Sequence, residues 1–169
     1  MIALIPGSFD PITLGHVNII ERAAARFERV IVAVMNNDSA KHFEGLASKT
    51  YLFDMSTRLE LVKLSTEHIT NVEVISSSGM LVDLFDKVGA DVVVKGIRNA
   101  ADLEYEMIHA KQNKIYNNRV ETLFLPADDS LANVSSTLVR DLISNRQLDR
   151  LSGILSDKAI QCIKANVKT

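Results

Sequence analysis

Apolar positions along the chain fall into two alternating kinds of run. Short continuous blocks rich in valine and isoleucine occupy 2–5, 30–34, 72–75, 91–94 and 120–125; their length and β-branching predict strands. Between them, apolar residues recur at helical spacing. Val17, Ile20, Ala24 and Phe27 stand at i, i+3, i+7 and i+10 and predict one helix with a single apolar stripe. Leu138, Val139, Leu142 and Ile143 repeat the pattern, as do Ile160, Ile163 and Val167, and Leu59, Val62 and the stretch 80–88 supply further helices. The strands do not alternate apolar with polar, which predicts burial on both faces. Strand–helix alternation of this kind predicts an α/β domain, a single doubly wound five-stranded parallel sheet with helices on both sides. No repeat or linker interrupts the pattern, so 1–169 reads as one domain. The exception is 36–55, which has no period and carries Lys41, His42 and Lys49. Loops this long are either functional or surface insertions.

Composition narrows the class. At 169 residues the chain suits one domain that buries roughly 70% of its unfolded surface without staples. Hydrophobic residues at 47% and charged residues at 24% are ordinary for a globular protein. A net charge of -2 argues against a general nucleic-acid binder. One cysteine, Cys162, excludes an internal disulfide framework and a cysteine-cluster zinc site. The apolar runs are far below the ~20 residues of a membrane span, and Met1 leads into one of them with no basic region. The expectation is a cytoplasmic protein with no membrane partner.

In open parallel sheets, ligands bind beyond the carboxyl ends of the strands where the strand order reverses. With the common order 3-2-1-4-5, strands 1 and 4 meet there, and these two strands end in unusual polar segments. Strand 1 runs into Pro6-Gly7-Ser8-Phe9-Asp10-Pro11-Ile12-Thr13-Leu14-Gly15-His16. Its glycines allow close backbone approach, and its prolines stiffen the turn. His16 falls in the first turn of the next helix, whose free N–H groups attract phosphate, and an imidazole there can donate to a phosphoryl oxygen as charge builds. Strand 4 runs into Lys95-Gly96-Ile97-Arg98, two cations bracketing a glycine and suited to clamp an anion. Ser135, Ser136 and Thr137 open a later helix as caps or as donors to a terminal phosphate. Asp102, Glu104 and Glu106 on their own read as helix-starters favoured by the dipole. His42, His68 and His109 stand alone and read by default as surface or core histidines. Neither a P-loop nor a dinucleotide fingerprint is present, nor any metal-ligand spacing, so no protein metal ligand is expected. Three anion-seeking segments at sheet ends imply a nucleotide or polyphosphate ligand with phosphoryl-type chemistry.

The strand 1 segment resembles the T/H-x-G-H signature of the nucleotidylyltransferase superfamily. With Lys95-Gly96-Ile97-Arg98-Asn99-Ala100-Ala101-Asp102-Leu103-Glu104-Tyr105-Glu106 and Val134-Ser135-Ser136-Thr137-Leu138-Val139-Arg140, it closely resembles the bacterial phosphopantetheine adenylyltransferase family along nearly the whole chain. The resemblance implies a Rossmann-like nucleotidylyltransferase fold. It also implies transfer of the adenylyl group of ATP to 4'-phosphopantetheine, giving 3'-dephospho-coenzyme A and pyrophosphate, by in-line attack of the acceptor phosphate on the α-phosphate. It makes His16 the transition-state stabiliser. It assigns Ser8 to both substrates, and Phe9, Gly96, Ile97, Arg98 and Glu106 to ATP. Leu131, Ala132, Asn133, Val134, Ser135, Ser136 and Thr137 would complete the ATP side, and Lys49, Leu81 and Lys95 the pantetheine side. Mg2+ held mainly by substrate phosphates, coenzyme A as feedback ligand and a homohexamer are further implications. The chain departs from the family pattern in three ways: Lys95 replaces a usual arginine, 36–55 is longer than usual, and 128–133 lacks an aromatic residue. The family lysine is therefore Lys41 or Lys49; the spacing of 48–53 to Arg58 favours Lys49. Competing readings are a sister enzyme with another acceptor and a regulatory nucleotide-binding module.

Overall fold

A computed structural model describes residues 1–36 and 50–167. Five strands, β1 (Ile2–Gly7), β2 (Arg29–Met35), β3 (Val72–Ser77), β4 (Val92–Ile97) and β5 (Thr122–Pro126), form one all-parallel sheet in the order β3-β2-β1-β4-β5. Helices α1 (Leu14–Ala24), α2 (Met55–Thr66), α3 (Leu81–Lys87), α4 (Ala100–Tyr116), α5 (Ser136–Ser144) and α6 (Asp157–Val167) follow the strands. The strand order is the expected one, and β1 and β4 are neighbours at the switch point.

Two apolar layers sandwich the sheet. Ala3, Ile5, Val30, Val32, Val34, Val92 and Val94 face one way, onto Val17 and Ile20 of α1, Leu61 of α2, Val139 of α5 and Ile163 of α6. Leu4, Ile31, Ala33, Met35 and Val93 face the other way, onto Val82, Leu84 and Phe85 of α3. Strands buried on both faces need apolar side chains at odd and even positions alike, which is why these runs do not alternate.

Two expectations change. Double burial holds for β1, β2 and the first half of β4 but not for the edge strands, and Leu123 of β5 is 48% exposed. Leu123 pairs in register with Val94 and so faces the α1 side of the sheet, away from α4, and stays half-exposed at the sheet edge. The predicted first stripe reaches Phe27, whereas α1 ends at Ala24. Phe27 still packs on the core from the turn that follows.

Candidate active site

The turn after β1 is built around Phe9, which adopts a left-handed backbone with φ 45°. Its ring is 3% exposed and lies edge-on to the His16 ring at 5.3 Å. A Cβ on Gly7 would stand 2.9 Å from the Phe9 ring, so only glycine lets the ring fold back over the strand. The same constraint recurs on β4, where a Cβ on Gly96 would stand 2.9 Å from the Ile19 side chain of α1.

Thr13 is the N-cap of α1 and His16 is its third helical residue. The Thr13 backbone N–H donates to His16 Nδ1 at 3.0 Å, with the Thr13 hydroxyl 2.9 Å from the same atom. A ring nitrogen that accepts from a backbone N–H carries no proton, so the neutral imidazole keeps its proton on Nε2. Burial, followed by the positive charges of Arg98 and Lys95, lowers the His16 pKa to about 4. At neutral pH His16 is a neutral donor.

The predicted cations each have a carboxylate partner. Lys95 Nζ lies 3.1 Å from Glu106, and Arg98 grips Asp102 through Nε at 2.8 Å and Nη2 at 3.1 Å. The acidic run on α4, read from the sequence as helix-starting residues, is therefore also site chemistry. At the start of α5, the Ser135 hydroxyl accepts the Leu138 N–H at 3.1 Å and the Thr137 hydroxyl accepts from Arg140 at 3.0 Å. Both keep a proton to donate. Ser136 does not, since its hydroxyl donates to the Pro11 carbonyl at 2.8 Å.

Two adjoining cavities of about 360 and 270 Å³ open over the ends of β1 and β4. Ser8, His16 and Gly96 lie on both, with Glu106 also shared. Phe9, Leu81 and Lys95 line the larger; Arg98, Leu131, Val134, Ser135, Ser136 and Thr137 line the smaller. Ile97, Ala132 and Asn133 line neither of these two cavities. Lys49, like Lys41 and His42, lies outside the described residues.

Several site residues escaped the sequence reading. Tyr105, His109 and Asn113 stand at i, i+4 and i+8 on α4 and share the wall of the larger cavity. That spacing was the available signal. His109, read as a default surface or core histidine, packs edge-on against Tyr105 at 4.4 Å, and burial lowers its pKa. His68 does lie at the surface, 2.8 Å from Glu21. Arg140 also lines the smaller cavity and donates to the Asp10 carbonyl at 2.8 Å.

The cytidylyltransferase-like family model matches residues 4–142, a span that contains β1, β4 and the start of α5 and with them both cavities. The chain belongs to this family of nucleotidyltransferases. A curated relative named phosphopantetheine adenylyltransferase, from Staphylococcus haemolyticus (strain JCSC1435), is 39% identical over 140 residues, covering 83% of this chain and 81% of that protein. In three dimensions this nucleotidyltransferase is similar to a crystal structure from Vibrio parahaemolyticus, assigned as a nicotinate-nucleotide adenylyltransferase. The TM-score is 0.68 at 17% identity, over 98% of this chain and 93% of that one. At that identity the likeness shows the fold, a Rossmann-like sheet, and no more.

Proposed function

We propose that the chain transfers the adenylyl group of ATP to 4'-phosphopantetheine, giving 3'-dephospho-coenzyme A and pyrophosphate, a step of coenzyme A synthesis. The observation that carries this reading is the placement of His16, with its Nδ1 engaged by Thr13, where the two cavities meet. A transferase for two phosphorylated substrates needs two adjoining sites and a donor at their junction. The relative named phosphopantetheine adenylyltransferase supplies the acceptor.

An oxygen of the acceptor phosphate attacks the α-phosphorus of ATP, the bond from that phosphorus to the bridging oxygen breaks, and pyrophosphate leaves. The nucleophile is already anionic, so the protein needs to position it and stabilise charge rather than remove a proton. His16 Nε2–H donates to a non-bridging oxygen of the α-phosphate as charge builds there. Ser8 touches both substrates, and the Phe9 backbone touches ATP. Gly96, Arg98, Glu106, Leu131, Val134, Ser135, Ser136 and Thr137 hold the nucleotide in the smaller cavity, with Ile97, Ala132 and Asn133 flanking them in the chain. Lys95 and Leu81 hold the acceptor in the larger; Lys49, outside the described residues, is proposed for the same substrate by the family resemblance alone. Among the described residues no three histidine, cysteine, aspartate or glutamate side chains converge. A magnesium ion would accordingly ride on the ATP phosphates, where it neutralises their charge.

Coenzyme A, which shares the product's pantetheine and adenylyl parts, is proposed as a feedback ligand; an unchanged initial rate at saturating coenzyme A counts against it. No helix among the described residues is long and apolar enough to cross a membrane. A cytoplasmic location is proposed on that basis together with the substrates. A homohexamer is proposed because α4 buries none of its residues and exposes Leu103, Met107, Ile108 and Ile115.

The test is pyrophosphate release from ATP with and without 4'-phosphopantetheine, run beside His16→Ala. Acceptor-dependent release that falls by about 10²–10³-fold in the variant is expected. Release that ignores the acceptor would overturn the reading; acceptor-dependent release at an unchanged rate in the variant would keep the reaction and remove His16 from its chemistry.

A further inference from the structure

Arg58, on α2, is 1% exposed and lines neither cavity. A buried guanidinium is costly unless every donor is met. Among the described residues no carboxylate lies within ion-pair distance of Arg58, and oxygens from three separate chain stretches satisfy it instead. Nε donates to the Phe53 carbonyl at 3.1 Å, Nη2 to Asn36 Oδ1 at 2.6 Å and Nη1 to the Ser8 carbonyl at 2.8 Å. The Tyr51 ring stacks 4.2 Å from its central carbon.

The bond to Ser8 has a geometric consequence. The only cis peptide among the described residues is Asp10–Pro11, so the Ser8–Phe9 peptide is trans. A trans peptide is planar, with C=O and N–H pointing in opposite directions. Arg58 pulls the Ser8 carbonyl inward, away from the cavities, and so turns the Phe9 N–H outward, to the edge of the larger cavity where it joins the smaller at Ser8 and His16. Phe9 itself is held at φ 45°, a conformation that a bulky residue keeps only when its surroundings over-determine it. The surroundings do so from both sides. Arg140 from α5 holds the Asp10 carbonyl at 2.8 Å, and the Asp10 carboxylate accepts the Leu52 and Phe53 N–H groups, each at 2.9 Å.

We propose that Arg58 is a positioning residue for adenylyl transfer: by holding the Ser8 carbonyl from behind the site, it aims the Phe9 N–H at a phosphoryl oxygen of the bound nucleotide. This rests on the reading of the smaller and larger cavities as a nucleotide and acceptor pair. Lysine in place of Arg58 keeps the charge but cannot reach three oxygens in three directions from one planar group. The aim of the Phe9 N–H, rather than the local charge, is what that substitution removes.

The test uses full-length protein labelled at phenylalanine amide nitrogens, titrated with magnesium ATP in the absence of acceptor and followed at the Phe9 amide. In the wild type the Phe9 amide signal moves when the nucleotide binds. Arg58→Lys is expected to bind ATP within about threefold of the wild-type affinity, to lose most of that movement, and to lose about 10²-fold in kcat. Tyr51→Leu, which loosens the guanidinium without emptying its place, is expected to show the same changes at smaller size; it decides the matter if Arg58→Lys does not fold. Variants that melt earlier but keep kcat and the Phe9 response overturn the proposal, and so does a wild-type Phe9 amide indifferent to ATP. Because the amide readout needs no acceptor, it stands even if 4'-phosphopantetheine proves to be the wrong substrate.

Discussion

His16 Nδ1 receives the Thr13 backbone N–H at 3.0 Å, and this one bond sets which nitrogen of the ring faces the site. The residue that caps α1 thereby also chooses the tautomer of the histidine proposed to act. Chemistry and local folding share a bond.

The first prediction is a pH dependence. The His16 pKa in the folded chain is lowered from 6.5 to about 4. As pH falls below 6.5 the unfolded chain takes up a proton that the folded chain refuses, so this group makes stability fall between about 6.5 and 4 and adds no further change below that. His16 stays a neutral donor across the neutral range. It is therefore expected to add no basic limb near 6.5 to the kcat profile. A basic limb at that pH, absent in His16→Gln, would mean that the imidazolium is the active form. Thermal melts and rates measured from pH 4 to 8 read both effects.

A second prediction concerns Lys95, which is partly buried and 3.1 Å from Glu106. Charge-assisted hydrogen bonds contribute about 1.5–3 kcal/mol. Lys95→Met is accordingly expected to raise the acceptor KM by roughly 10–100-fold while leaving the ATP KM within about threefold. Steady-state kinetics with each substrate varied in turn make the distinction, and an equal loss for both substrates would move Lys95 off the acceptor side.

Gly96 supplies the third. A Cβ there meets Ile19 Cγ1 at 2.9 Å, so Gly96→Ala forces β4 and α1 apart at the floor of both cavities. Overpacking of this kind costs about 1–3 kcal/mol, which corresponds to a fall in melting temperature of several degrees at this chain length. Truncating the obstacle with Ile19→Ala in the same chain is expected to return part of the loss. A strictly additive double-mutant cycle would show that the contact does not matter.

The fourth prediction follows from the apolar face of α4. Ile115 is 80% exposed, and its neighbours on the helix are exposed too. Ile108→Glu combined with Ile115→Lys is expected to shift the sedimentation of the protein to smaller species without lowering helix content. A wild type that already sediments as a monomer would remove the self-association reading.

Much of the fold was readable because its signals are local. The valine and isoleucine runs marked all five strands, and their lack of alternation correctly marked β1 and β2 as buried on both faces. It misled at β5, where the same composition sits on an edge strand and leaves Leu123 half-exposed. Strand composition reports β-propensity and apolarity, whereas exposure depends on which neighbour the topology delivers. Within the site, Gly7, His16, Gly96 and Arg98 stood out through spacing and residue type. His109 did not, because a lone histidine in a helix carries no mark of the cavity it faces. Arg58 was noticed only as a spacing marker for Lys49. Its bonds reach Ser8, Asn36 and Phe53, and no local pattern records that convergence.

By itself, the sequence determined the strand–helix alternation, the parallel sheet, and the placing of glycine, histidine and cation-rich turns at the ends of β1 and β4; the order 3-2-1-4-5 was assumed as the common one and the structure has it. These depend on periodicity and on residues that punctuate the backbone, which act over a few positions. Only the tertiary structure decided which groups meet across the turns. It used the Ser136 hydroxyl on the Pro11 carbonyl, brought Arg140 to the Asp10 carbonyl, and brought Arg58 to the Ser8 carbonyl from 50 residues away. Such contacts require that distant segments be buried together, and burial is a property of the whole packed chain.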